Sequence, residues 1–345
     1  MMKKYTAPST SRVFVLFLIG ACLLASTITV ISQFYYIASA NGNDYVQTTD
    51  YARHREKVNG GAQAPYRYRI LTDYALAGVL HFAPGKMPEK YVTVSFIFRL
   101  VQNFLIFLAA YGFFRSLRFS RARSILGLGL LAYGMCFAFY AADVSYYTYT
   151  ELLFFLVAMI LINRGHDWWI LPLTILGALN REESIFIPVM LLLVRWSEEK
   201  GQLTWRNFYK ARYVQIFLAS IVAFFLVYFG LRYVLGPATY VNSRYGAIYP
   251  GLSLVIQNML NRETWIGLLQ MYNLTLLALL LIKKWPKSLL VLLVGMVIPW
   301  FGAQFVFAST DETRLFLVPL ALVFIPAVIS LLDADKPETF AGVIN

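Results

Sequence analysis

Residues 168–196 read WWILPLTILGALNREESIFIPVMLLLVRW, and this stretch decides how the rest of the chain is interpreted. Two apolar halves, 168–179 and 185–196, flank the polar run Asn180-Arg181-Glu182-Glu183-Ser184. A helix needs about 20 apolar residues to cross a bilayer, so neither half can cross alone. Charges at such depth are costly and usually face a cavity or pair with each other. The stretch predicts either one helix with charges in its middle or, as we favour, a hairpin of two short helices.

Further apolar runs extend this pattern through the chain. They lie at about 13–37, 91–114, 124–141, 150–163, 213–235, 265–282, 287–308 and 314–332. The sequence is 59% hydrophobic and 14% charged, whereas soluble domains carry about 25% charged residues. A surplus this large cannot be buried in one soluble core. We therefore predict an all-α polytopic transmembrane bundle of about ten helical segments, with residues 1–345 forming a single integral membrane domain.

Basic residues in the connections predict the orientation of the bundle. Three connections carry much of the positive charge, namely 115–123, 206–212 and 283–287. Cytoplasmic loops of membrane proteins collect Lys and Arg, so we place all three in the cytoplasm together with both termini. The longest polar stretch, 38–90, and a smaller loop, 236–264, then face outward. Within the first of these, Ile70 to Phe82 is apolar enough to form a helix along the membrane surface.

The net charge of +12 would also suit nucleic acid, but its distribution argues against that partner. Lys and Arg lie mostly in short connections, and no basic stretch has a soluble fold around it. The N-terminal run 13–37 is longer than the core of a signal peptide, which is usually about 7–15 residues, so we interpret it as a retained first helix. The predicted location is a bacterial inner membrane, with the lipid bilayer as a partner.

Cysteine and histidine usage gives no indication of a metal or redox site. Cys22 and Cys136 fall in apolar runs without CxxC or Cys/His spacing, which is typical of small packing residues. His54, His81 and His166 are isolated in the sequence. No cofactor is therefore predicted. A divalent cation is compatible with the sequence, but nothing in it indicates one.

Two polar motifs follow the first apolar run. Asp44 and Asp50 come directly after it, and a carboxylate at a membrane edge can serve as a general base, although solvated loop charge is the simpler explanation. Pro65-Tyr66-Arg67-Tyr68-Arg69 then combines two arginines with two tyrosines. This pattern suits the binding of a phosphate by guanidinium groups and, equally well, anchoring at the membrane surface.

Asn180-Arg181-Glu182-Glu183 is the strongest signal, and we favour a ligand-facing role over a purely structural Arg–Glu pair. Asp311-Glu312-Thr313-Arg314 opens the last apolar run, and Asp143 and Glu151 bracket the tyrosine-rich turn 146–149. The predicted topology places most of these residues on one side of the membrane. It therefore predicts a polar, arginine-rich outer cavity. Lipid-linked phosphate sugars, with an apolar tail and a polar head, are ligands of that kind.

Four motifs resemble those of bacterial proteins of the GT-C glycosyltransferase superfamily. They are Asp44 after the first helix, Ala64-Pro65-Tyr66-Arg67-Tyr68-Arg69-Ile70-Leu71, Leu179-Asn180-Arg181-Glu182-Glu183-Ser184 and Asp311-Glu312-Thr313-Arg314-Leu315-Phe316. The resemblance spans most of the chain in order and spacing. It implies a GT-C-like fold, a polyprenyl-phosphate-sugar donor, an acidic base in the first outer loop and an inverting transfer on the extracytoplasmic side.

Carried onto this chain, the resemblance implies Asp44 as the base, with Asp50 second, and Arg67, Arg69 and Arg181 as candidates for the donor phosphate. The other predicted substrate-binding residues are Tyr66, Tyr68, Asp143, Asn180, Glu182, Asp311, Glu312 and Arg314. The expected function is transfer of a sugar to an envelope glycan, lipid or protein acceptor. The alternatives are a polysaccharide polymerase or ligase using a lipid-diphosphate glycan, a transporter or flippase of lipid-linked sugars, and a non-catalytic scaffold subunit.

Overall fold

The structure is a computed structural model that describes residues 12–138, 144–199, 211–239 and 251–332. The regular secondary structure of these residues is helical. No β-strand occurs in these ranges. Seven of the helices are long and apolar enough to cross a membrane. The prediction of an all-α chain with several helices long and apolar enough to span a membrane is therefore confirmed for the described residues.

The chain contains helices of spanning length and shorter helices between some of them. The helices of spanning length are α1 (Arg12–Asn41), α4 (Glu89–Ser116), α6 (Tyr146–Asn163), α9 (Arg212–Leu235), α11 (Arg262–Lys284), α12 (Lys287–Phe307) and α13 (Thr313–Leu331). The shorter helices are α2 (Tyr51–Val58), α3 (Ile70–Phe82), α5 (Arg121–Cys136), α7 (Ile170–Ala178), α8 (Phe186–Glu198) and α10 (Leu252–Leu260). Helix α3 occupies the residues predicted to form a surface helix. Helix α5 has 16 residues and is about 24 Å long at 1.5 Å per residue, which is shorter than the hydrocarbon core of a bilayer.

The most enclosed helix of the bundle is α13, and α1 and α9 lie at its periphery. In the most apolar stretch of each helix, 83% of residues are buried in α13 against 22% in α1 and in α9. The large apolar side chains Leu16, Leu226 and Tyr233 are exposed on the two peripheral helices. A soluble protein would leave such faces in water at high cost, so these surfaces are suited to lipid.

One end of the bundle carries residues 42–88 and is called the loop end below. Tyr68 donates a hydrogen bond to the carbonyl of Gly236, directly after α9, over 3.0 Å. The amide of Leu71 donates to the carbonyl of Leu179, between α7 and α8, also over 3.0 Å. The 42–88 segment is thereby attached to both α9 and the short helices α7 and α8.

The opposite end, called the basic end, gathers arginine-containing turns. Asn163 at the end of α6 donates to Ser116 Oγ at the end of α4 over 2.9 Å. Arg123 at the start of α5 reaches the carbonyl of Leu332, after α13, over 3.4 Å. Arg212 at the start of α9 lies over the ring of Trp168, 5.3 Å from its centroid. The other basic residues predicted for the 206–212 connection, and both chain termini, lie outside the described residues.

Helices α7 and α8 form the hairpin favoured for residues 168–196. Helix α7 ends at Ala178, and a new helical turn begins at Glu182. The amides of Asn180 and Arg181 both donate to the carbonyl of Gly177 over 2.8 Å, which closes the turn. A Cβ atom on Gly177 would lie 2.6 Å from the Cβ of Ser184, so only glycine allows this close approach. The two short helices therefore meet at the polar break.

Replacement of Gly177 with alanine is expected to destabilise the protein by about 1–3 kcal/mol, because the added methyl group overlaps Ser184 where the hairpin reverses. Gly20→Ala is the matched control, since Gly20 is also helical and nothing lies within 4 Å of its Cβ position. Alanine there should be neutral or mildly stabilising. Thermal unfolding in detergent measures both variants. Equal stability of Gly177→Ala and the wild type would contradict the close packing of the hairpin.

Candidate functional site

A cavity of about 530 Å³ lies at the loop end, between the hairpin tip and the ends of α9 and α12. Ile185, Phe186 and Phe307 form an apolar wall of this cavity. The charged part of the lining, called the charged wall, carries Arg69, Arg181, Arg232, Arg314, Glu182, Glu183 and Glu312. We call this space the arginine cavity. Its two walls give it the character of a site for an amphipathic ligand.

Tyr147, in the first turn of α6, is the centre of the charged wall. The guanidinium carbons of Arg69, Arg181 and Arg314 lie 5.1, 5.6 and 5.5 Å from the centroid of its ring. Lys57 Nζ lies 5.3 Å from the same centroid. These four cations come from four separate segments of the chain. The attraction of these cations to one aromatic ring orients their charged groups. It does not occupy all of the hydrogen-bond donors of these groups.

Arg181, at the hairpin tip, is buried between two glutamates. Its Nη1 lies 3.0 Å from Glu151 Oε2 on α6, and its Nε lies 3.1 Å from Glu183 Oε2. Its Nη2 contacts the other oxygen of Glu183. Burial opposes the charge of Glu183, but Arg181 and Arg69 outweigh burial and hold the pKa of Glu183 below its ordinary value. The contact between Arg181 and Glu151 holds the hairpin tip against α6.

Glu182 connects Arg69 of the 42–88 segment with Arg232 near the end of α9. Arg69 donates from Nε and Nη2 to Glu182 Oε2, over 3.1 and 3.0 Å, and Arg232 Nη2 lies 3.6 Å from Oε1. Burial opposes the charge of Arg69, but Glu182 and Glu183 outweigh it and raise the pKa of Arg69 above its ordinary value. The Glu182 side chain is 28% exposed, more than Glu183 or Glu312. It is thus the most accessible carboxylate of the cavity.

Acids balance the arginines of this cavity. Arg314 Nη2 lies 2.8 Å from Glu312 Oε2, so each of the four arginines has a glutamate within 4.0 Å. The glutamates of these pairs are Glu151, Glu182, Glu183 and Glu312. An anionic ligand would therefore compete with these carboxylates for the arginines. Glu182 is the most exposed of those that line the cavity.

Six of the residues predicted from the sequence line the cavity together, namely Tyr66, Arg69, Arg181, Glu182, Glu312 and Arg314. Asn180 lies beneath them and supports the hairpin tip. Its side chain donates to the carbonyl of Tyr147 over 2.8 Å and accepts from Thr72 over 2.5 Å. The convergence expected from the predicted topology therefore occurs for these residues.

The two predicted candidates for the base do not line the arginine cavity. Asp44 is exposed in the turn after α1. Asp50 is buried, accepts a hydrogen bond from the hydroxyl of Tyr91 over 2.7 Å and receives the amide of Val144 at 3.4 Å. The expectation that these acids share a cavity with Arg181 is therefore wrong for this structure. Asp143 lies outside the described residues.

Three further predicted residues also lie apart from the cavity. Arg67 donates to the carbonyl of Leu235, and its neighbour Tyr68 donates to that of Gly236. These bonds attach the 42–88 segment to the end of α9, so both side chains have structural partners in place of a ligand. Asp311 accepts from Ser309 Oγ over 2.5 Å, within the turn before α13.

Sequence reasoning missed Arg232 and the central position of Tyr147. Arg232 lies in the last turn of an apolar helix, where an arginine usually extends its head group to the membrane surface. Its nearest aromatic neighbour is Tyr228, whose ring centroid lies 3.4 Å from the guanidinium carbon. The only signal for Tyr147 was its place in the turn 146–149. Neither role could be read from spacing along the chain.

Within the described ranges, no group of three or more His, Cys, Asp and Glu side chains is arranged to hold a metal ion.

No protein-family model matches the sequence, and neither the characterised proteins nor the solved structures compared with it give a match. The resemblance to the GT-C superfamily therefore depends on the short motifs alone. The activity that it implies stays a prediction. A proposal for the function therefore depends on the geometry of the arginine cavity.

Arg181→Met is expected to destabilise the protein by about 3–5 kcal/mol, because Glu151 and Glu183 lose their shared partner in buried surroundings. Adding Glu151→Gln should recover part of this loss, since one of the two unpaired charges is then gone. Arg232→Met is the control. Its partner Glu182 is partly exposed and keeps Arg69, so the cost should stay within about 1 kcal/mol.

Thermal unfolding in detergent, with and without the Glu151→Gln change, measures these differences. A loss of stability for Arg232→Met as large as that for Arg181→Met would contradict the structural role given to Arg181.

Proposed function

We propose that the protein is a membrane glycosyltransferase that moves a sugar from a polyprenyl-phosphate donor to an acceptor of the cell envelope. The observation that carries this proposal is the arginine cavity, in which guanidinium groups, tyrosines and apolar side chains line one space at one end of a helical bundle. A lipid-linked sugar phosphate has matching parts. Its phosphate suits the arginines, its sugar hydroxyls suit Gln304 and the carboxylates, and its chain suits Phe186 and Phe307.

In the proposed orientation, the basic end faces the cytoplasm of a bacterial cell and the loop end faces outward. The arginines of the turn between α4 and α5 support this choice by the positive-inside rule. Both termini are then cytoplasmic. Phe229 on α9 and Phe307 on α12 are exposed, and Phe307 belongs to the apolar wall. The lipid chain of the donor reaches the cavity from the bilayer on this side.

Donor binding exchanges one anion for another. The phosphate takes Arg69 and Arg232 from Glu182, the most exposed carboxylate in the balanced cavity. Guanidinium groups bind phosphate oxygens in the same forked geometry in which they bind carboxylates, so the exchange needs no large rearrangement. Both arginines then stabilise the negative charge that develops on the departing phosphate.

Glu182, once released, is placed to act as the base. It takes the proton of the acceptor hydroxyl while the acceptor oxygen attacks the anomeric carbon of the sugar. The bond from that carbon to the phosphate oxygen breaks, and its electron pair leaves with the phosphate. Displacement from the opposite face inverts the anomeric centre. Glu182 is favoured over Asp44 and Asp50 because it lines the cavity and they do not.

A second candidate function is a polysaccharide polymerase or ligase that uses a lipid-diphosphate glycan. The observation in its favour is the division of the arginines into two groups. Arg69 and Arg232 share Glu182, whereas Arg181 pairs with Glu151 and Glu183 and Arg314 pairs with Glu312. Two cationic groups suit the two phosphates of such a carrier.

Purified protein is expected to transfer, or slowly hydrolyse, the sugar of a polyprenyl-phosphate donor. Arg69→Gln combined with Arg232→Gln should lower kcat/KM by about 100-fold or more, because the leaving phosphate loses two charge-assisted partners. Arg262→Gln, an exposed change at the loop end outside the cavity, is the control. Turnover of a diphosphate-linked glycan alone would favour the second candidate. Turnover of neither donor would exclude both.

The identity of the base is tested by comparing Glu182→Gln with Asp44→Asn. The amide at position 182 cannot take a proton, so the first variant should lose about 100-fold or more in kcat. The second should keep wild-type activity within about twofold, because Asp44 is exposed and outside the cavity. The opposite pattern in single-turnover measurements would restore Asp44 as the base.

A further inference from the structure

A second pocket of about 370 Å³ lies at the loop end, between α2, α3 and the start of α4. Among the described residues, basic, polar and apolar side chains line this pocket, and none of them is Asp or Glu. Arg55 comes from α2, His81 from α3 and Lys90 from α4. Basic side chains from three helices thus surround one space, and we call it the basic pocket.

The charges of the basic pocket lack the balance found in the arginine cavity. Among the described residues, neither Arg55 nor Lys90 has a carboxylate oxygen within 4.0 Å. Arg55 rests instead against the ring of Tyr51, 5.9 Å from its centroid. Two cations that share a pocket without an acid repel each other and attract an anion.

The lining of the basic pocket includes a buried histidine as well as exposed basic side chains. His54 is 6% exposed and lines the pocket. Its Nδ1 lies 3.4 Å from Asp73 Oδ1 on α3, and its ring packs on Tyr91 at 5.4 Å between centroids. The carboxylate and the aromatic ring hold the imidazole in one orientation. Because Nδ1 is engaged by Asp73, the other ring nitrogen is the one left for a ligand.

The apolar part of the pocket and its location indicate the kind of anion. Val58, Leu80 and Met87 contribute apolar surface to the lining. Helix α3, which supplies one wall, exposes Tyr74 and Phe82 at the loop end, as expected for a helix at a membrane surface. An anion that carries a non-polar substituent therefore fits better than a simple inorganic ion.

We propose that the basic pocket binds a phosphate ester at the membrane surface, with Arg55 and Lys90 as charge partners and His54 as a hydrogen-bonding group. A phosphate offers oxygens in several directions and so can meet cations from different helices, whereas a carboxylate offers only two oxygens in one plane. The ester is either the head group of an anionic phospholipid or a soluble phosphorylated molecule. This site is separate from the arginine cavity and does not depend on the proposed sugar transfer.

The test compares binding of three probes to the full-length protein in detergent or in phosphatidylcholine nanodiscs. The probes are phosphatidylglycerol, glycerol 3-phosphate and inorganic phosphate, and native mass spectrometry with thermal unfolding reports binding. Arg55→Gln combined with Lys90→Gln should weaken binding of the preferred ester by about tenfold or more, since each charge-assisted bond contributes about 1.5–3 kcal/mol. Lys86→Gln, exposed and outside the lining, is the matched control and should match the wild type.

The probes also distinguish the two sources of the ester. Preference for phosphatidylglycerol over glycerol 3-phosphate identifies a lipid head group, and equal binding identifies a soluble ligand. Failure of the wild type to bind any ester, or equal binding by the double variant and the wild type, would overturn the proposal. Arg232→Gln should leave this binding unchanged, because Arg232 lines only the arginine cavity. Failure of ester binding would not change the result expected in the sugar-transfer assay. Failure of sugar transfer would likewise not change the result expected for ester binding.

Discussion

The buried pairing of Arg181 with Glu151 and Glu183 is the interaction on which the rest of the structure depends. A guanidinium group inside an apolar bundle is very unfavourable unless carboxylates meet it directly and its remaining donors are used. Glu151 comes from α6, Glu183 from the same hairpin tip, and Thr148 accepts a further bond from Arg181. These contacts allow a charged hairpin tip to end inside the bundle.

The hairpin tip in turn positions both walls of the arginine cavity. Leu71 and Thr72 at the start of α3 bind its backbone and Asn180, which brings the 42–88 segment over the tip. On the far side, Phe186 begins α8 and contributes to the apolar wall. One part of the site is therefore fixed by buried pairs. Another part, Arg69 with Glu182 and Arg232, contains the most exposed carboxylate of the cavity.

The two pockets of the loop end differ in charge. The arginines of the arginine cavity are paired with glutamates, whereas neither Arg55 nor Lys90 of the basic pocket has a carboxylate oxygen within 4.0 Å among the described residues. Lys57 lies between them, over the ring of Tyr147 on one side and 3.9 Å from Asp73 on the other. Asp73 also orients His54 in the basic pocket. The segment that contains His54, Lys57 and Asp73 therefore makes polar contacts next to both pockets.

The sequence by itself determined the all-helical class of the protein, the approximate location of its long apolar helices and the polar break of the hairpin. These features depend on local quantities, namely the length of an apolar run and the cost of a charge within it. The same reasoning identified Arg69, Arg181 and Arg314 as residues of one site. It worked because the predicted topology already placed them at one end of the bundle.

Only the tertiary structure decided which polar side chains meet. Arg232 joins Glu182 although 50 positions separate them, and Asp50 accepts a hydrogen bond from Tyr91 and does not line the arginine cavity. Such choices depend on how each helix is rotated about its axis and which helix ends are neighbours. Neither quantity is encoded in the spacing of residues along one chain, because many packings of the same helices bury the same apolar surface.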